Sequence, residues 1–150
     1  MAGAPKADET MMDIEKMLIR HEGLRLKPYR CTSGKLTIGV GRNLDDVGIT
    51  EGEARKMLRD DITRCTIKLM HDPLWGFSDY NAARQNVLVN MCFQLGKSGL
   101  DKFKKLRAAM NDGDWDRAAE EMLSSKWARQ TPNRANELAK IMRTGEHVEP

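Results

Sequence analysis

The sequence predicts a predominantly helical α+β fold, with a small β-lobe and a helical lobe joined by one long helix. Three observations point there. Between residues 24 and 44, Pro28, Gly34, Gly39 and Gly41 break any helix, and apolar residues recur at two-residue spacing. Residues 51–71 carry apolar side chains at uninterrupted helical spacing. Beyond residue 82, helical patterns recur between short turn signals.

Residues 1–11 are small, polar and acidic, and are expected to form a flexible N-terminal extension. Asp13 is placed to cap a helix whose apolar face is Ile14, Met17 and Leu18. That helix stops near Glu22-Gly23, because glycine suits a helix C-terminus. Tyr29, Leu36, Ile38 and Val40 sit among polar residues around a Ser33-Gly34 turn, which predicts a small hairpin or meander. Thr50 and Glu53 form a capping-box pair at the head of the long helix. Its apolar positions are Ala54, Met57, Leu58, Ile62, Cys65, Leu69 and Met70, and it ends before Pro73. At 1.5 Å per residue it spans about 30 Å. Further helices are predicted over residues 83–95, 100–110 and 115–123, near Lys126, and over 132–143. Thr131 as N-cap and Pro132 at the first helical position start the last one. Residues 12–150 then form one domain: a β-lobe over about 24–50, a linking helix over about 51–71, and a helical lobe over about 72–147 that also takes in the N-terminal helix.

Composition excludes several classes of function. A chain of 150 residues buries roughly 70% of its unfolded surface, and 40% hydrophobic residues rule out disorder by composition. Twenty-five basic against 22 acidic residues leave a net charge of +3, too slight for dedicated nucleic-acid binding. No basic start leads into an apolar run, so no export signal is expected, and no apolar run is long enough to span a membrane. The three cysteines, Cys31, Cys65 and Cys92, are odd in number and widely spaced, which argues for reduced thiols. Cysteine and histidine lack metal-ligand spacing. Asp112, Asp114 and Asp116 alternate like a calcium loop, but Arg117 and Leu123 stand where glycine and glutamate are wanted. Lys97, Lys102, Lys104, Lys105 and Arg107 read as a solvated helix face, Trp115 and Trp127 as core, and Cys65 and Cys92 as buried filler.

The candidate residues for chemistry lie at the end of the first helix and on the hairpin after it, where the plain alternative is a solvated helix-end Glu22 and a Cys31 that fills core. A carboxyl at a helix C-terminus feels the negative end of the helix dipole, which favours the protonated form that a general acid needs. Glu22 stands there, and a hairpin folding back beside it presents Cys31 and Thr37.

Glu22, a cysteine nine positions on and a threonine six further reproduce the active-site spacing of the phage-type lysozymes, the endolysin family of the T-even phages, which the chain resembles. Three blocks carry the likeness. They are Glu22-Gly23-Leu24-Arg25-Leu26-Lys27 with Thr37-Ile38-Gly39-Val40-Gly41, then Asn90-Met91-Cys92-Phe93-Gln94-Leu95-Gly96, then Trp127 to Ala135 followed by Arg143-Thr144-Gly145. The resemblance implies a two-lobed lysozyme-like fold with a glycan-binding cleft between the lobes. It implies hydrolysis of the β-1,4 bond between N-acetylmuramic acid and N-acetylglucosamine in peptidoglycan. Glu22 would be the general acid and Thr37 would hold the water, an arrangement that inverts the anomeric centre. Asn90, Phe93, Gln94 and Thr131 would bind substrate, and Arg134 would reach and steady Glu22.

Two positions depart from the T-even pattern. Cys31 replaces an aspartate, and general base, covalent nucleophile or positioning group are the three roles open to it. Arg42 replaces a histidine that pairs with an aspartate on the long helix, so an Arg42–Asp61 ion pair is expected. The resemblance calls for no cofactor or metal, and for a monomer that acts on peptidoglycan without nucleic acid or stable membrane insertion. It implies synthesis in the host cytoplasm, holin-dependent release and action in the periplasm. The alternatives are a lytic transglycosylase cutting the same bond and a catalytically silent glycan-binding module.

Overall fold

The computed structural model describes residue 3 and residues 7–147. The chain is a predominantly helical α+β protein, as its sequence predicts, and falls into two compact units, Met1–Arg55 and Lys56–Pro150.

The first unit opens with α1 (Ala7–Glu22). This helix begins six residues before the expected Asp13 cap. The predicted extension before Ala7 lies outside the described residues, residue 3 excepted. Gly23, at φ 80°, closes α1 by donating its N–H to the Ile19 carbonyl at 2.8 Å. A three-stranded antiparallel meander follows, in the order β1 (Arg25–Arg30), β2 (Leu36–Gly39), β3 (Arg42–Asn43). Pro28 is tolerated in β1 because β1 is an edge strand, and the register shifts between Arg25 and Tyr29 around it. Cys31 and Lys35 pinch the β1–β2 turn, where the Cys31 N–H donates to the Lys35 carbonyl at 3.0 Å.

Helix α2 (Glu51–Met70) starts in the first unit and runs on into the second. Its predicted capping box is present: Thr50 Oγ1 accepts from the Glu53 N–H at 3.1 Å, and Glu53 Oε1 accepts from the Thr50 N–H at 2.9 Å. A 3-10 turn over Phe77–Asp79, not foreseen from the sequence, leads into α3 (Ala82–Asp101), capped by the Asn81 side chain. Gly96, at φ 75° and ψ 162°, breaks α3 where the first of the predicted later helices should end. The helical stretch resumes as far as Asp101, and α4 (Lys104–Asn111) is a separate, shorter helix.

Next come α5 (Trp115–Leu123) and α6 (Lys126–Gln130), capped by Asp114 and Ser125. Then α7 (Pro132–Thr144) runs to a left-handed Gly145. Thr131 sits at the cap position of α7, but its hydroxyl donates back to the Trp127 carbonyl at 3.0 Å. Pro132 therefore sets that start without a side-chain cap. The second unit holds a continuous core that includes Trp75, Leu88, Met91, Leu106, Met122 and Met142. Cys92 and Trp127 belong to it, with Cys65 and Trp115 partly buried against it. Among the described residues no helix is long and apolar enough to cross a membrane.

Candidate active site

Glu22 is the last residue of α1, so the end of that helix fixes where its carboxyl emerges. The carboxyl rests against the two-residue turn between β2 and β3. A methyl carbon built on Gly41 would stand 2.9 Å from Glu22 Oε2. Gly41 has φ 68°, a left-handed backbone that favours glycine, and any side chain added there would push the Glu22 carboxyl aside. Glu15, Leu18, Ile19, Glu22, Val40 and Gly41 line a hollow at this junction.

Cys31 and Thr37 are brought together across the β1–β2 turn. The half-buried Cys31 thiol lies 3.1 Å from Ser33 Oγ. Hydrogen bonds from the Ser33 hydroxyl and from the Lys35 and Ser33 backbone stabilise the thiolate, and lower its pKa to about 7. Thr37 is the one buried polar residue among the described residues. Its hydroxyl donates to the Lys35 carbonyl at 2.9 Å, and its backbone is paired on both sides, with Tyr29 on β1 and Asn43 on β3. The central strand of a sheet thus holds Thr37 beside a thiol whose ionised form is favoured by its surroundings. Ser33 was read from the sequence only as a turn residue. Its signal is a hydroxyl two residues after a cysteine in a tight turn.

The residues implied by the second and third sequence blocks gather in the second unit. Arg134 on α7 grips Asn90 on α3, with Nε and Nη2 donating to Asn90 Oδ1 at 2.9 and 2.7 Å. Asn90, Phe93 and Arg134 line a hollow with Leu58, Ile62 and Asn86. Phe93 is exposed, and Gln94 Oε1 accepts from Trp127 Nε1 at 2.8 Å.

One expected pair is corrected. Within its own unit Arg42 takes Glu53 as partner: its Nη1 donates to Glu53 Oε1 at 2.9 Å and to the Gly48 carbonyl at 3.2 Å. Asp61 is taken by Arg64, one turn along the same helix. Glu53 wins because its carboxylate, already fixed by the Thr50 N–H, stands within reach of Arg42. Lys97 is a second correction. It is not on a solvated face, but donates to Asp72 Oδ2 at 2.6 Å and to both carboxylate oxygens of Asp101.

A helix-end carboxyl against a small sheet that carries an activated thiol and a buried hydroxyl is apparatus suited to hydrolysis. Comparison with known proteins identifies the class. The chain belongs to the phage lysozyme family, whose model matches residues 19–143. It is 32% identical to the pre-baseplate central spike protein Gp5 of Enterobacteria phage T4, over 94% of this chain and 29% of that protein's length. It is 31% identical to the probable T4-type lysozyme 2 of Dictyostelium discoideum, over 88% of this chain and 94% of the relative. It is 32% identical to an endolysin of Acyrthosiphon pisum secondary endosymbiont phage 1, over 78% of both chains. The chain is accordingly a peptidoglycan-degrading enzyme of the lysozyme class.

Proposed function

We propose that the chain is a muramidase endolysin. It hydrolyses the β-1,4 bond between N-acetylmuramic acid and N-acetylglucosamine, with inversion. Glu22 protonates the departing glycosidic oxygen. Cys31, as thiolate, takes the proton of the attacking water, and the Thr37 hydroxyl orients that water. Asn90, Phe93, Gln94 and Thr131 bind the glycan.

The observation that carries the reading is the shared hydrogen-bonded setting of Cys31 and Thr37, in which the thiol titrates at about 7. A base for water needs to ionise near working pH, and the lowered thiol does. A transglycosylase has no use for an activated water, so this pair favours hydrolysis. By family analogy the enzyme is made in the host cytoplasm, released through a holin lesion, and acts in the periplasm.

Clearing of outer-membrane-permeabilised cells by pure, reduced protein tests the activity, with Glu22→Gln as control. Clearing by the parent and none by the variant are expected. A fully active Glu22→Gln protein removes Glu22 as the acid. NMR of fresh products reads the anomer, and a retained anomer would replace the base with a nucleophile. An anhydro-muramic end detected by mass spectrometry would mean transglycosylation.

A further inference from the structure

Strand β3 is only two residues long, and both residues next to its Arg42 touch the proposed reacting groups. Gly41, just before it, is the wall against which the Glu22 carboxyl rests. Asn43, just after it, is the strand partner of Thr37. So short a strand has few ladder hydrogen bonds to hold it. Backbone and side-chain bonds from Asn43 and Leu44 hold its far end to the loop and to β2, and the Arg42 side chain ties it to the head of α2 by reaching the Gly48 carbonyl and Glu53. Glu53 is itself clamped in the capping box at the head of α2. We propose that Arg42, held by Glu53 and the Gly48 carbonyl, is a positioning residue that sets the Glu22 acid in register with Thr37.

The pair is built to hold across the working pH range. Hydrogen bonds from Arg42 and from Thr50 depress the Glu53 carboxyl to about 2, so both charges persist at neutral pH. Its side chains are 38% and 40% exposed, and half-exposed ion pairs add little to folding. A role in geometry is therefore separable from one in stability. The inference rests on the proposed roles of Glu22 and Thr37.

Arg42→Ala, Arg42→Lys, Glu53→Gln and the double variant Arg42→Ala/Glu53→Gln test it through kcat and KM on soluble glycan, thermal melts and amide NMR. Misplacing a reacting group by an ångström costs up to about 100-fold in rate. Arg42→Ala and Glu53→Gln should each lower kcat by about tenfold or more, with KM within about twofold and melting temperature nearly unchanged. Arg42→Lys should recover part of the loss, because one nitrogen, Nη1, makes both bonds in the parent and an ammonium on a shorter side chain can still meet Glu53. The double variant should be no worse than the poorer single one. Parent kcat in Arg42→Ala, losses that multiply in the double variant, or losses that track the melting temperature would overturn the proposal. Independently of turnover, Glu53→Gln should shift the amide resonances of Gly41 and Thr37; unmoved resonances also overturn it. An inactive parent, or an active Glu22→Gln protein, instead strikes the functional reading, so the two failures are told apart.

Discussion

Cys31 carries the sharpest pH prediction, because its thiol is drawn down to about 7 by the Ser33 hydroxyl and by backbone groups. A base works only when deprotonated, so kcat/KM should rise with pH along a limb centred near that value. Cys31→Asp should move the limb down towards the carboxylate range near about 4 and keep part of the activity, and Cys31→Ser should lose most of it. Alkylation should inhibit the parent by modifying Cys31. Burial pushes the Cys92 thiol up to about 11, so Cys92 should stay unmodified in the folded protein, as peptide mapping would show. A rate flat across the neutral range, or full activity in Cys31→Ser, removes the thiolate. The positions of Glu22 and Thr37 in the fold were legible because one ends α1 and the other lies in β2, with Cys31 one residue past β1. The preference of Arg42 for Glu53 was not, because the choice depends on which carboxylate is already held in place by Thr50. Periodicity does not encode that.

At the scale of elements, boundaries marked by caps were readable and those set by tertiary contacts were not. The Thr50–Glu53 box and Asp114 lie at the starts of helices that the sequence placed correctly. The helical stretch after Gly96 was missed because Lys97, read as a surface charge, is the anchor of that stretch. Its ammonium sits between Asp72 and Asp101, and Asp101 also accepts from Trp75 Nε1 at 2.9 Å. The side chains of Lys97 and Asp72 are only 18% and 20% exposed, so removing the cation leaves a carboxylate short of both partner and water. Lys97→Met should destabilise the protein by about 2–3 kcal/mol in urea melts at neutral pH. The direction with pH follows from the shifts. Lys97 holds the Asp72 carboxyl below its ordinary 3.8, so the pair's contribution is complete above that value and fades as pH falls through the lowered one. Asp72 and Asp101 raise Lys97 despite the cost of its burial, so the contribution also fades in strong alkali, above the ordinary 10.5. The gap between parent and variant should therefore be widest in the neutral range and narrow in acid. A gap that widened in acid would mean the cluster is not held by this pairing.

For the molecule as a whole, the distribution of burial sets where stability resides. Every buried apolar residue among the described residues lies between Leu69 and Met142, in the second unit. There the α5–α7 and α4–α5 packing encloses long side chains such as Met110, Met122 and Met142. Full burial of such a side chain is worth about 1.5–3 kcal/mol. In the first unit the buried residue is Thr37, and much of what ties the sheet and its loop together is hydrogen bonds and exposed ion pairs such as Arg30–Asp45 and Lys35–Asp46. Exposed pairs of that kind contribute only about 0–1 kcal/mol each. The unit that carries Glu22, Cys31 and Thr37 is thus the one with the fewest buried contacts, where low-energy opening is expected. Native-state hydrogen exchange should find the amides of β2 and β3 exchanging through a local opening that denaturant barely accelerates. Those of Val87, Leu88 and Met142 should exchange only by global unfolding, with a steep denaturant dependence. The Thr37 amide is the decisive one, since it sits on the central strand and is the best protected place the first unit offers. If it exchanged as slowly as Met142 and with the same denaturant slope, the two units would unfold together, and the site would owe its order to the core of the second.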